Sequence, residues 1–297
     1  MDWLIFAILS YLFWAFCNIT SKVLLTNYVK NIFVYTIFIG FAGLLPLLLI
    51  PFKNLTIPNT QLLIITLITG MLYIYALMPY LKALSVEEVS RVIPLWRFTP
   101  LFVLIFSIGF VGEQLSFFEI IAFFLFLLGG FLISVQKLKE TFKISKAFYF
   151  MLFSSFLFGI YHTLTKFVYL NQSYYDGFIL IRIGSFISAL SILLIKKYRI
   201  SLIDTFSFIS NKTKGAILFY EILNLIGLAF FNFAVSIGSV SLVSASAGIQ
   251  SIFVLLLASI LSLKFPQILK EEISTKILLQ KLIAIILIIV GAGMIVL

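Results

Sequence analysis

Ten long apolar runs, separated by short polar or proline-containing breaks, dominate this sequence of 297 residues. A helix needs about 20 mostly apolar residues to cross the roughly 30 Å hydrocarbon core of a bilayer. We therefore predict an all-α integral membrane protein with about ten transmembrane helices. The predicted spans cover residues 3–23, 32–52, 61–83, 87–111, 116–136, 147–169, 176–196, 214–236, 239–263 and 277–297. Two boundaries, at Ser85–Ser90 and Ser236–Ser241, are tight turns or kinks within longer apolar stretches.

The composition fits a membrane protein and excludes several other classes. Hydrophobic residues make up 62% of the chain and charged residues 11%, against roughly 45–50% and about 25% in soluble domains. No stretch between the spans is long enough to form a separate soluble domain, so we expect no ATPase domain. Cys17 and His162 are the only residues of their types. This excludes disulfides within the chain and the common metal sites, and we expect neither a metal nor a cofactor.

The two halves of the chain resemble each other. Residues 10–22 read SYLFWAFCNITSK and residues 154–166 read SSFLFGIYHTLTK, which aligns Asn18 with His162 and Lys22 with Lys166. A second pair joins residues 121–134 to residues 283–296 at a wider spacing, so the second half contains an insertion. Five spans per half is an odd number, and the halves therefore cross the membrane in opposite senses, as in many transporters. We predict two inverted five-helix repeats, residues 1–138 and 147–297, in one bundle around a central cavity.

The basic residues predict the orientation of the chain. Lys and Arg are enriched in cytoplasmic loops of membrane proteins. If the N-terminus lies outside, all but four of the 21 Lys and Arg residues fall at inner helix ends and loops; the four are Lys53, Arg97, Lys166 and Arg182. We therefore expect both termini outside. The formal charge of +10 then reflects membrane topology, and we expect no nucleic-acid partner.

Motifs along the whole chain resemble the drug/metabolite transporter superfamily, specifically its EamA-like members with two five-helix halves. The residues that carry the resemblance are Trp14, Asn18, Lys22, Tyr80–Ser85, Pro100, Gly112-Glu113, Gly129-Gly130 and Phe233–Ser239. The second half departs from the pattern, with Ile252 and Lys264–Glu272 where the family repeats its Pro and Gly-Glu pair. The resemblance implies a basket of helices, alternating access, and export or exchange of small metabolites such as amino acids. The family usually keeps both termini in the cytoplasm, and here we follow the charge count instead.

Polar residues inside the spans are the candidate site. Burying an ionisable group in the bilayer costs about 2.5–3.5 kcal/mol on insertion scales, so such residues usually serve a function. The predicted substrate-binding residues are Trp14, Asn18, Tyr73, Tyr80, Trp96, Arg97, His162, Glu221, Asn224 and Gln250. The candidates for coupling or gating are Lys22, Arg91, Lys166 and Arg182.

Each candidate also has a structural interpretation. Lys22 and Lys166 either line a vestibule or extend to the membrane interface. Arg97 either binds a carboxylate or phosphate or pairs with a buried acid such as Glu221. Glu221 and Asn224 share a helix face, which is directed either to the cavity or to Arg182. The aromatic residues either stack on a solute or pack within the bundle. The glycines on the fifth and tenth spans, Gly129, Gly130, Gly291 and Gly293, are expected to allow close helix approach.

Phosphate-binding loops, HExxH pairs and Gly-x-Ser-x-Gly elbows are absent from the sequence. We expect a secondary transporter that acts as a monomer in a lipid bilayer, with a cavity formed mainly by spans 1, 3, 4, 6, 8 and 9. Two alternatives remain open. One is a membrane enzyme acting on lipid head groups through the acidic doublets Glu87-Glu88 and Glu271-Glu272. The other is a lipid scramblase or membrane scaffold.

Overall fold

The computed structural model describes residues 2–27, 31–86, 92–134, 146–264 and 275–295. Within these ranges 90% of the residues are helical and none is in a β-strand. The helices of the first half are α1 (Asp2–Asn27), α2 (Ile32–Phe41), α3 (Thr60–Val86), α4 (Phe98–Phe106) and α5 (Phe117–Ser134). Those of the second half are α6 (Lys146–Asn171), α7 (Tyr174–Leu193), α8 (Lys196–Phe208), α9 (Asn211–Ile237), α10 (Val240–Ala245), α11 (Gly248–Lys264) and α12 (Thr275–Met294).

Five helical segments are long and apolar enough to cross a membrane. They are Ile32–Pro51, Thr60–Val86, Lys146–Asn171, Tyr174–Leu193 and Asn211–Ile237. Shorter apolar helices occupy the five other predicted spans, at Asp2–Asn18, Leu95–Val111, Phe117–Leu132, Val240–Val254 and Leu279–Met294. Large apolar side chains such as Leu48, Phe110 and Phe117 are exposed on the outside of the bundle, where lipid is the solvent that favours them.

The breaks between helices agree with the polar positions of the sequence, with one addition. A break at Gly238 and Ser239 separates α9 from α10, within the predicted Ser236–Ser241 boundary. The other weak boundary, Ser85–Ser90, lies largely outside the described residues. The addition is α8, which forms between two spans where the sequence predicted only a polar connection. None of its residues is buried. A helix that buries no face needs no regular apolar pattern, so the sequence gives no strong signal for it.

Three spans are interrupted. A 3-10 segment, Ala42–Phe52, follows α2 and contains Pro46 and Pro51, which lack the amide hydrogen that an α-helix needs. The fourth span begins with a 3-10 turn, Ile93–Arg97, before α4. The ninth is divided at Ser246 and Ala247, between α10 and α11. Interrupted helices at membrane depth expose backbone groups, which are tolerated where protein or water satisfies them.

The halves of the chain interleave. The most extensive helix contacts join α3 to α6 and α7, α1 to α9, and α5 to α12. Every one of these pairs takes one helix from each half. The hydrophobic core therefore lies between the halves as well as within them, and side chains from both halves meet at the centre of the bundle.

Glycines make the closest crossings possible. A Cβ atom on Gly70 would lie 1.8 Å from the carbonyl oxygen of Ile181, and one on Gly184 would lie 2.2 Å from that of Leu67. Helices α3 and α7 thus touch through their backbones. The expectation of close approach is confirmed at Gly129, Gly130 and Gly291. It is wrong for Gly293, whose added Cβ would meet nothing within 4 Å in the described structure.

Candidate functional site

A buried carboxylate lies near the middle of the bundle. Glu221 lies ten residues after the start of α9, which is about 15 Å along the helix. Its side chain is only 4% exposed. Neither of its oxygens lies within hydrogen-bond geometry of a donor among the described residues, and its polar neighbours are Arg182 and Asn224. Buried charges in proteins are normally paired, so this carboxylate has unused binding capacity.

Arg182 on α7 is the positively charged side chain that interacts with Glu221. Its guanidinium is 2% exposed and interacts electrostatically with the Glu221 carboxyl. No hydrogen bond joins the two side chains. Instead Arg182 donates from Nη2 to the carbonyl of Ile39 at 3.2 Å and from Nη1 to the hydroxyl of Ser185 at 3.3 Å. The Ile39 carbonyl belongs to the last turn of α2, where the α-helix changes to the 3-10 segment.

Tyrosines surround this pair of charges. The Arg182 guanidinium carbon lies 5.2 Å from the centre of the Tyr73 ring. The rings of Tyr35 and Tyr220 are 5.9 Å apart, and the two tyrosine side chains interact with each other. Glu221 is an electrostatic neighbour of all three tyrosines. We name Tyr35, Tyr73, Arg182, Tyr220 and Glu221 the central cluster.

A chain of touching rings runs through the bundle beside the central cluster. Ring centroids that follow one another along it are 4.6–5.9 Å apart, the range of favourable aromatic pairs. The rings are, in order, Tyr80, Trp96, Phe158, His162, Phe231 and Trp14. Tyr73 joins this chain through Phe158, at 6.2 Å. Five predicted substrate-binding residues therefore share one continuous aromatic surface.

Arg97 joins two of the interrupted spans, the fourth and the ninth. It ends the 3-10 turn of the fourth span, and its Nη2 donates to the hydroxyl of Ser251, in the first turn of α11, at 2.7 Å. Gly130 and Gly248 leave room for it. A Cβ on Gly130 would lie 3.0 Å from the Cα of Gly248 and 3.1 Å from Nε of Arg97. The arginine thus occupies a narrow space at the contact between α5 and α11.

The first half of the chain is similar to a known protein family. Residues 1–135 match the model of the EamA-like transporter family. This part of the chain is therefore similar to that family. The family is one of transporters within the drug/metabolite transporter superfamily, and its model covers somewhat less than half of this membrane protein. A search of curated proteins finds no match.

The fold is also similar to that of a solved crystal structure. The similarity covers 99% of this chain and 96% of the other, with a TM-score of 0.69 and 15% sequence identity. At that identity the likeness concerns the fold alone. It extends over the second half of the chain, which lies beyond the residues that the family model matches.

Lys166 has a definite structural partner in the EamA-like bundle. Its ammonium donates to the carbonyls of Gly238 at 2.7 Å, Val235 at 3.0 Å and Ser236 at 3.4 Å. A cation there complements the negative end of the α9 dipole. The residue therefore stabilises the end of α9, and a role in coupling or gating stays a prediction.

Another polar contact lies at the same end of the bundle. Glu113 follows Gly112, which adopts a left-handed conformation with φ of 71°. The hydroxyl of Ser241 on α10 donates to the Glu113 carboxylate and lies 2.8 Å from the hydroxyl of Ser107. The end of the fourth span is thereby tied to the start of the ninth.

Of the remaining predicted residues, Asn224 interacts with Glu221 and Tyr73 of the central cluster. Asn18 is half-buried on α1, one turn after Trp14, and Gln250 is half-buried in the first turn of α11. Asn224 is buried on α9, one turn after Glu221. Arg91 and the side chain of Lys22 lie outside the described residues.

The sequence alone did not identify all members of the central cluster. Tyr35 and Tyr220 were missed. Cys17, which is not a member of the cluster, was also not predicted to lie beside it, and its thiol is 4.0 Å from the Tyr220 carbonyl oxygen. Tyr220 directly precedes Glu221, so proximity to a buried acid was an available signal for it. Tyr35 lies near the start of α2, and nothing in the sequence distinguishes it from the other tyrosines of the chain.

Proposed function

We propose that this EamA-like protein is a secondary transporter that moves small organic metabolites, such as amino acids, across the cell membrane by export or exchange. The observation that supports it most is the central cluster, a buried set of polar groups with unused hydrogen-bonding capacity between helices of both halves. A non-catalytic scaffold has no need for such a group, because a buried polar group without a hydrogen-bond partner is costly.

Alternating access would use ten transmembrane helices in two inverted repeats, residues 1–138 and 147–297. The 3-10 turn of the fourth span and the break in the ninth support this proposal. Each interruption begins six or seven residues into its predicted span, and the two spans run in opposite directions through the bundle under the proposed topology. Paired interruptions at corresponding positions of two halves mark the substrate site in many inverted-repeat transporters.

We also propose an oligomeric state, a membrane orientation and an energy source for the transporter. The transporter acts as a monomer in the bilayer, with both termini outside the cell, without a cofactor or a nucleic-acid partner, and without enzymatic activity. The gradient of a solute or ion would supply the energy.

Transport into proteoliposomes tests this function. Purified protein would be reconstituted and supplied with radiolabelled amino acids and other small metabolites, with and without a pH gradient. Saturable uptake of at least one solute, absent from protein-free liposomes, is the expected result. Failure across the panel together with rapid exchange of a fluorescent lipid between leaflets would instead support the scramblase alternative.

A further inference from the structure

We infer that Glu221 binds the cationic group of the transported solute, so that the site selects solutes with an amine over those with only a carboxylate. This inference rests on the transport function proposed above and specifies its substrate class. It follows from the hydrogen-bonding state of Glu221 and from the side chains around it.

Glu221 differs from the other buried acid of the described residues. Asp176 is also buried, but its carboxylate accepts hydrogen bonds from the Thr56 amide at 3.1 Å, the Thr56 hydroxyl and the Ser173 hydroxyl at 2.8 Å. Both oxygens of Glu221 are without any such partner. Among the described residues, one buried carboxylate is thus fully hydrogen-bonded, whereas the other, with Asn224 and Arg182 as polar neighbours, keeps acceptor capacity for a solute.

Arg182 does not serve as the missing partner. Its two terminal nitrogens donate to neutral acceptors, the Ile39 carbonyl and the Ser185 hydroxyl. These bonds fix the guanidinium on the backbone of α2 and on its own helix. Neither of these bonds goes to Glu221, so both carboxylate oxygens remain without a hydrogen-bond donor among the described residues.

The tyrosines favour a cation at this position. Aromatic faces attract ammonium groups, and the attraction grows where water is excluded. Tyr35, Tyr73 and Tyr220 all interact electrostatically with Glu221. An ammonium carries three donors, two of which could be accepted by the Glu221 oxygens. The adjoining chain of aromatic rings then provides an apolar surface for the body of the solute.

Binding to the wild-type protein tests the charge preference directly. Three probes share a phenyl ring and a two-carbon linker but differ in their end group: phenethylamine, 3-phenylpropionate and 2-phenylethanol. Radiolabelled phenethylamine would be bound to purified protein in nanodiscs and displaced by each unlabelled probe. We expect phenethylamine to bind at least about tenfold more tightly than the other two, the factor for one hydrogen bond between charged groups. Equal binding, tighter binding of the carboxylate or no binding by any probe would overturn the inference.

Substitution of the carboxylate locates the preference. Glu221→Gln should weaken phenethylamine binding by about 10- to 100-fold, while Glu221→Asp retains most of it. Glu119→Gln is the matched control, since glutamine preserves the capping contact of Glu119 with the Ser116 amide. Gel filtration would establish that each variant is folded. If the wild type transports solutes but Glu221→Gln binds phenethylamine unchanged, the inference about charge fails and the proposed transport function stands.

Discussion

The Arg182 side chain shows how one residue can support a binding site without contacting the solute. Its guanidinium joins the last turn of α2 to α7 through the Ile39 carbonyl and lies over the Tyr73 ring. The carbonyl is located where α2 changes to the 3-10 segment, a place where backbone acceptors need new partners. Arg182 supplies one, and its charge simultaneously acts on Glu221.

Replacing Arg182 by methionine should therefore lower the stability of the protein. We expect Arg182→Met to reduce the free energy of unfolding by about 1–2 kcal/mol, near the upper end for hydrogen bonds between membrane helices. Thermal unfolding in detergent measures the effect. Arg199→Met on the exposed helix α8 is the control and should leave the melting temperature unchanged. Equal melting temperatures for the two variants would show that the Arg182 contacts carry no net stability.

Helices α3 and α7 meet without side chains between them at Gly70 and Gly184. Such contacts let two backbones approach closely, and they replace the hydrophobic driving force that is missing inside a bilayer. The same crossing positions Tyr73, one turn after Gly70, against Arg182, two residues before Gly184. The geometry of the central cluster thus depends on this pair of glycines.

Gly70→Ala should disrupt the crossing. Its added methyl group would lie 1.8 Å from the Ile181 carbonyl oxygen, which is backbone and cannot rotate away. Overpacking of this kind costs about 1–3 kcal/mol, and we expect a lower melting temperature and weaker solute binding. Gly215→Ala on α9 is the control, because its Cβ would meet nothing within 4 Å and alanine favours a helix by about 0.5–1 kcal/mol. A Gly70→Ala protein as stable as Gly215→Ala would contradict the described crossing.

The sequence predicts helices well and their partners poorly. The apolar run at 61–83 corresponds closely to α3 (Thr60–Val86), because bilayer thickness sets the length of a span. No comparable rule identifies what Gly70 faces, since helix rotation and crossing angle depend on the whole bundle. For the same reason the sequence included Glu221 in the site but left its partner open. Lys166 could be placed near a helix end, whereas its contact with the end of α9 required the tertiary structure.

The whole molecule is built from two interleaved halves whose largest contacts are with each other. Their orientation in the membrane is a separate prediction from the basic residues of the sequence. Reporter fusions to the C-terminus test it, using one enzyme that is active only outside the cytoplasm and another that is active only inside. We expect activity of the first reporter alone. Activity of the cytoplasmic reporter would show that the charge count assigned the wrong side.

Solute counterflow is the most direct test of the claim that this protein is a secondary transporter. Proteoliposomes would be loaded with a high concentration of an unlabelled amino acid or amine and diluted into a trace of the same labelled compound. We predict a transient accumulation of label above its equilibrium level for at least one compound, because alternating access couples entry of label to exit of the unlabelled solute. Passive equilibration alone, identical to that of protein-free liposomes for every compound, would contradict the account.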